Sequence, residues 1–172
     1  MALGAGMNAS PIRTYAMAFL TDLFWAEGAF RSRGNPHFYI NQDETERFVL
    51  QEGRVHPWSF AALPATKSPL LMLSRERVHL LTFLEEEAVE SYRRPPRTTK
   101  VLLYLPLCVV QGEVPLLSEA KVEDFLDFWK GPLFPVLDAA IHYLVEGGLH
   151  LPARLPMVYV NRAHLVGYFP RE

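Results

Sequence analysis

The sequence predicts a mainly β protein with short helices (α+β), built as two pseudo-symmetric repeats, each a small bent-sheet or barrel-like unit, packed together. Three observations carry this expectation. The second half of the 172-residue chain lies on the first in three blocks that keep their order, the mark of an internal repeat of about 85 residues. The blocks are dominated by apolar, β-branched and aromatic residues of strand character. Hydrophobic residues make up 49% of the chain and charged ones 21%, a balance that supplies a core and argues against disorder over most of the length.

The first block sets residues 17–30 on 101–114 and places Gly28 on Gly112. The second sets 48–56 on 134–142, with Glu52 on Asp138 and His56 on His142. In the third, 69–78 falls on 156–165: proline on proline, four apolar residues on four, then Ser74 and Arg75 on Asn161 and Arg162. These matches divide the chain into a flexible N-terminus (1–13), a first β repeat (14–84), a charged, proline-containing linker (85–100) and a second β repeat (101–172).

The apolar run 101–110 reads as one strand buried on both faces, with Pro106 marking an edge or a bulge. Ser118 is placed to cap a short amphipathic helix on which Val122, Phe125, Leu126 and Trp129 share a face, stopped by Gly131 and Pro132. The corresponding residues 35–47 keep Phe38, Tyr39 and Ile40 but have lost the helical spacing, so a turn or a single helical turn is expected there. Block three reads as strand, tight turn and second strand, that is, a hairpin. Gly147 and Gly148 read as a turn. Each repeat carries more apolar strand surface than one sheet face covers, so the halves are expected to pack on each other about an approximate two-fold axis, as a fused dimer would.

A formal net charge of −2 removes the electrostatic footprint of a typical nucleic-acid binder, whose phosphate contacts need a cationic surface. Cys108 is the only cysteine; no disulfide within the chain and no thiolate-rich zinc site can form, and a reducing, cytoplasmic setting is expected. The apolar stretches 15–25 and 101–110 fall far short of the ~20 residues a spanning helix needs, and residues 1–10 lack the basic start of an export signal. No membrane partner is expected. There is no GxSxG, phosphate loop or dinucleotide fingerprint, and the apolar surroundings of Cys108 disfavour a thiolate. Neither enzymatic activity nor a cofactor is expected.

Four residues stand out as ligand-binding candidates: Arg75, Arg162, His56 and His142. His56 and His142 hold one position in the two repeats, and brought together they would offer paired imidazoles to an anion or a metal. No third or fourth ligand stands at metal-site spacing, so no metal is expected. The duplicated Arg75 and Arg162 could grip phosphate or carboxylate groups; at a strand turn such residues also cap their own backbone and sit in water, which is the simpler reading. The linker cations Arg93, Arg94, Arg97 and Lys100 stand beside Glu85, Glu86, Glu87 and Glu90 and read as a solvated segment of compensating charge. Trp25, Trp58, Trp129, Phe38 and Tyr39 read as core or interface rather than as a ligand cage.

The second half, with KVEDFLDFWKGPLFPVLDA followed by MVYVNRAHLVGYF, resembles a group of small uncharacterised bacterial domains with the plan strand, short DxLN-like segment, strand, VxVN strand. The run VYVNRAHLVGYF also resembles the second signature of Sm-like small barrels, in which an apolar strand turns at an Arg-Gly pair and returns as another apolar strand. That resemblance implies a strongly bent sheet or barrel, ring assembly and RNA binding. Asn161 with Arg162, and Ser74 with Arg75, replace the Arg-Gly pair, so the RNA-contacting residues are not carried over.

These readings predict a non-enzymatic binding or regulatory module, a fused pseudo-dimer that presents a surface to a protein or small ligand and is compatible with a homo-oligomer. An Sm-like nucleic-acid binder acting through Arg75 and Arg162 is the alternative; a metal-dependent or hydrolytic enzyme is the third reading. The site is expected at the seam between the halves or in residues 35–47, where the first copy departs from the second.

Overall fold

The computed structural model describes residues 10–58, 64–117, 119–145 and 152–171. The expectations for Ser118, Gly147 and Gly148 lie outside these residues. The described chain is mainly β, with ten antiparallel strands in one sheet. The N-terminal half supplies β1 (Ile12–Thr21), β2 (Phe24–Arg33), helix α1 (Pro36–Tyr39), β3 (Arg47–Pro57), β4 (Thr66–Ser74), a 3-10 turn (Arg75–Arg77) and β5 (Val78–Phe83). After α2 (Glu86–Glu90), the C-terminal half supplies β6 (Thr98–Tyr104), β7 (Cys108–Pro115), a 3-10 turn (Val122–Asp124), α3 (Phe125–Phe128), β8 (Leu133–Tyr143), β9 (Arg154–Asn161), a 3-10 turn (Arg162–His164) and β10 (Gly167–Pro170). Among the described residues no helix is long and apolar enough to cross a membrane.

The sheet order is β10-β6-β7-β8-β9-β5-β1-β2-β3-β4. The halves join where β5 lies against β9, with Leu80 opposite Val160 and Leu81 opposite Tyr159. The expected two-fold axis is not met. A two-fold pairs a strand with its own counterpart, whereas this seam joins the fifth strand of one half to the fourth of the other.

Two further expectations are corrected. Residues 101–110 are a hairpin rather than one strand: β6 ends at Tyr104, β7 starts at Cys108, and Leu105 N donates to Cys108 O across the turn at 3.0 Å. Pro106 has no N–H for a ladder, so the chain turns there while both arms stay apolar. Block three is not a hairpin either. After each 3-10 turn the chain leaves its own strand, so that β5 pairs with β1 and β10 with β6. Residues 35–47 do hold the single helical turn expected, and the segment 85–100 contains α2 and the start of β6.

Where they meet, the seam strands β5 and β9 are buried on both faces. Every residue of β5 is buried. Its alternation sends Leu80 to one core and Leu81 and Phe83 to the other. Each core draws on both halves. Ala18, Leu20, Trp25 and Leu80 pack with the C-terminal strands, while Leu133, Leu137, Met157 and Tyr159 pack with the N-terminal ones. Two polar side chains fasten the seam: Thr82 Oγ1 donates to Met157 O (2.8 Å), and Asn161 Nδ2 to Val78 O (2.9 Å).

The β2–β3 ladder slips register at Gly28 and the β7–β8 ladder at Gly112. A Cβ at Gly28 would stand 2.8 Å from Leu50 Cβ, and one at Gly112 2.5 Å from Val136 Cγ1, so the strands close on each other only over glycine. Across from them, Glu52 and Asp138 take φ of 51° and 49°, as bulged residues do.

Candidate ligand-binding site at the seam

Arg75 and Arg162 both turn toward their own backbone. Arg75 Nη1 donates to Ile40 O (3.3 Å) and Gln42 O (2.6 Å) just past α1; Arg162 Nη1 donates to Trp129 O (3.2 Å) at the end of α3. Each guanidinium thus meets carbonyls that a helical turn leaves unpaired. His56 lies on β3 opposite Trp25 and His142 on β8 opposite Val109. Four strands (β9, β5, β1, β2) separate theirs in the sheet, and no hydrogen bond, ion pair or ring contact joins the two histidines. No group of three or more His, Cys, Asp or Glu capable of holding a metal occurs among the described residues.

What the seam does bring together is a cavity of about 340 Å3 lined from four separate stretches of chain. The segment around α1 gives Asn35, His37, Phe38 and Asn41; the stretch after α2 gives Tyr92 and Arg93; the end of α3 gives Trp129 and Lys130; β9 gives Tyr159. Local rules place the first group. Asn35 Oδ1 accepts from His37 N at 2.9 Å, capping α1, and Pro36 takes the first helical position, where its missing N–H costs nothing. Two residues past the end of α1, Asn41 reaches the other half. Its Oδ1 accepts from Leu133 N (2.9 Å) and its Nδ2 donates to Leu133 O (2.8 Å), so one side chain imitates a strand partner for β8. Gly131 leaves room for it: with φ of 102°, a Cβ there would stand 2.7 Å from Asn41 Oδ1.

His37 and Tyr159 are the buried members of the lining. His37 Nε2 is 2.7 Å from Ala88 O, an atom that can only accept, so the proton sits on Nε2. Nδ1 is then the acceptor, and Tyr159 Oη donates to it at 2.8 Å. Burial lowers the His37 pKa, partly opposed by the Ala88 carbonyl, and burial raises that of Tyr159; both groups are held neutral. The His37 ring stands edge-on to Tyr92 at 5.3 Å. Phe38, by contrast, is 74% exposed. Arg93 and Lys130 are also exposed, and neither forms an ion pair among the described residues. An uncharged, aromatic interior with two free cations at its rim suits a flat ring that carries negative charge.

A second cavity, of about 380 Å3, opens beside Asp22, Ser74 and Arg77. Asp22 accepts a short hydrogen bond from His79 Nε2, and the His79 ring stacks on His164 with centroids 3.8 Å apart. His79 Nδ1 is buried with no partner among the described residues. Two of the linker carboxylates are tied to the body of the protein: Glu87 pairs with Arg13 at 3.0 Å, and Glu85 Oε1 accepts from Ala16 N at 3.2 Å. Arg94 meets Asp138 at 2.9 Å.

Comparison with known protein families, curated proteins and solved structures finds no match to this chain.

Proposed function

We propose that the protein is a non-enzymatic binding module, made by duplication of one five-stranded unit, whose ligand is a nucleoside phosphate or a similar flat anionic molecule seated at the seam. The observation that carries this is the convergence of Phe38, Tyr92 and Trp129 with the unpaired Arg93 and Lys130 around one cavity. Duplication is supported by features with no other reason to coincide. Both halves follow the succession strand, strand, helical turn, strand, strand, 3-10 turn, strand. Glycine bulges fall at Gly28 and Gly112, the positive-φ acidic residues at Glu52 and Asp138, and Arg75 and Arg162 cap the same turn in each copy. The 3-10 turns at 75–77 and 162–164 stand where the resemblance to Sm-like barrels puts its turn, which favours a likeness of fold.

The test is a calorimetric titration with nucleoside monophosphates, followed by short single-stranded oligonucleotides. Phe38→Ala should weaken binding roughly 5- to 150-fold, the range that ~1–3 kcal/mol of stacking implies. Arg93→Ala and Lys130→Ala should flatten its salt dependence. Phe38 is exposed, so its loss leaves the core intact. An absence of binding, or affinity unchanged in all three variants, removes this reading. Tight binding of oligonucleotides with no affinity for monomers would move the ligand class to single-stranded nucleic acid.

A further inference from the structure

We propose that the cavity beside Asp22 binds a free α-amino acid with an apolar side chain, Asp22 taking its ammonium and Arg77 its carboxylate. The site is separate from the seam cavity and stands without the reading given above. It lies where the tight turn between β1 and β2 meets the end of β4, and it encloses about 380 Å3, within the range of small-ligand pockets. Thr21 fixes the turn. Its Oγ1 donates to Phe24 O (3.1 Å) and accepts from Phe24 N (3.2 Å) and Leu23 N (3.3 Å), so Asp22 is presented on a fastened loop. Thr21 also stands opposite Val78 in the β1–β5 ladder, which sets Arg77, the last residue of the 3-10 turn, beside Asp22.

Charge and apolar surface are divided across this cavity. The Asp22 carboxylate accepts from His79 Nε2 on one oxygen, while its other oxygen stands 3.9 Å from Arg77 Nη1. Burial, opposed in part by that hydrogen bond, lowers the His79 pKa; the ring is neutral and leaves the carboxylate its charge. At 3.9 Å, with side chains 46% and 69% exposed, the Asp22–Arg77 pair is weakly held and both groups remain open to a ligand. A lone anion at Arg77 would meet the repulsion of Asp22, and a lone cation at Asp22 that of Arg77. A zwitterion with adjacent ammonium and carboxylate satisfies both, the guanidinium fork suiting the carboxylate. Leu23 and Met72, 48% and 57% exposed, join Phe24 and Leu73 in an apolar wall for the ligand's side chain. In the block alignment Asp22 falls on Pro106 and Arg77 on His164, so the charged pair has no counterpart at these positions of the second half.

The test is calorimetric titration of the full chain with L-leucine and L-phenylalanine. Beside them go the N-acetyl form of each, which lacks the ammonium, and the amide of each, which lacks the carboxylate. Saturable binding of at least one parent amino acid is expected. Its capped forms should bind roughly 10- to 150-fold more weakly, the loss expected of one hydrogen bond to a charged group. Asp22→Asn removes the charge while keeping an acceptor for His79; it should weaken the parent and erase the penalty of acetylation. Arg77→Gln should weaken the parent and erase the penalty of the amide. Thermal unfolding verifies that the variants fold, and Arg77→Gln alters an exposed side chain, so it reports even where Asp22→Asn disturbs the turn. No saturable binding of either amino acid, capped forms that bind as well as the parents, or affinities that neither variant changes overturns the inference.

Discussion

Replacing Asn41 with alanine removes the side chain that serves as a strand partner to Leu133 across the two halves. Two hydrogen bonds are lost, at 2.9 and 2.8 Å. The consequences for their partners differ. Leu133 O keeps the Trp129 indole N–H at 3.0 Å, whereas Leu133 N, on a fully buried residue, is left without a partner. An orphaned buried donor costs ~1–3 kcal/mol and the second lost bond ~1 kcal/mol net, so the variant should be destabilised by about 3 kcal/mol. For a chain of this size that lowers Tm by roughly 6–12 °C. Differential scanning calorimetry measures it, with Asn41→Ser as a shorter polar control expected to fall between. A Tm within a degree of wild type would mean that the Leu133 amide is satisfied without the bridge.

Acidification should weaken the fold in a defined window. His37 and His79 both have pKa values lowered, chiefly by burial, so between the ordinary histidine value of about 6.5 and their folded values the unfolded chain takes up protons that the native one refuses. Urea midpoints should therefore fall from pH 7.5 to pH 5.5; a flat or rising profile contradicts the lowering of the two histidine pKa values. Cys108 is fully buried, and burial pushes its thiol up to about 12, so a disulfide-exchange reagent should leave it untouched in native protein and label it stoichiometrically in denaturant. Labelling of the native chain at the denatured rate would place it at the surface. Residues 84–172 expressed alone lack Ala18, Leu20, Trp25 and Leu80 of their own core and should show no cooperative unfolding transition; a sharp one would show that this half does not need the other.

The β character was legible because it is written in local patterns. Gly28 with Gly112, and Glu52 with Asp138, could be set on each other by their neighbours alone, and each pair turned out to sit at a bulge. The single turn at 36–39 followed from lost periodicity in a stretch with a capping Asn35 and a first-turn Pro36. Strand endings were less legible. An apolar run of ten residues does not tell a doubly buried strand from a hairpin with two buried arms, and Pro106 was compatible with both. The partner of β5 was out of reach, since pairing is decided by side chains some eighty residues away in sequence. The residues of the site divide in the same way. Asn35, His37, Phe38 and Asn41 of the cavity lining fall within segment 35–47. Tyr92, Lys130 and Tyr159 were missed because each is ordinary in its own segment and only the tertiary fold collects them. Trp129 and Phe38 were read as core or interface residues; the signal that Phe38 differs is its place in a turn too short to bury it.

A ligand seated between the halves is located by amide chemical-shift mapping. On titration of the labelled protein with a nucleoside monophosphate, concerted shifts are expected in residues 35–41, 92–93 and 129–130, with the Trp129 indole N–H moving at the same midpoint. Shifts centred on the cavity beside Asp22 and Arg77, confined to one half, or absent at saturating ligand would contradict it.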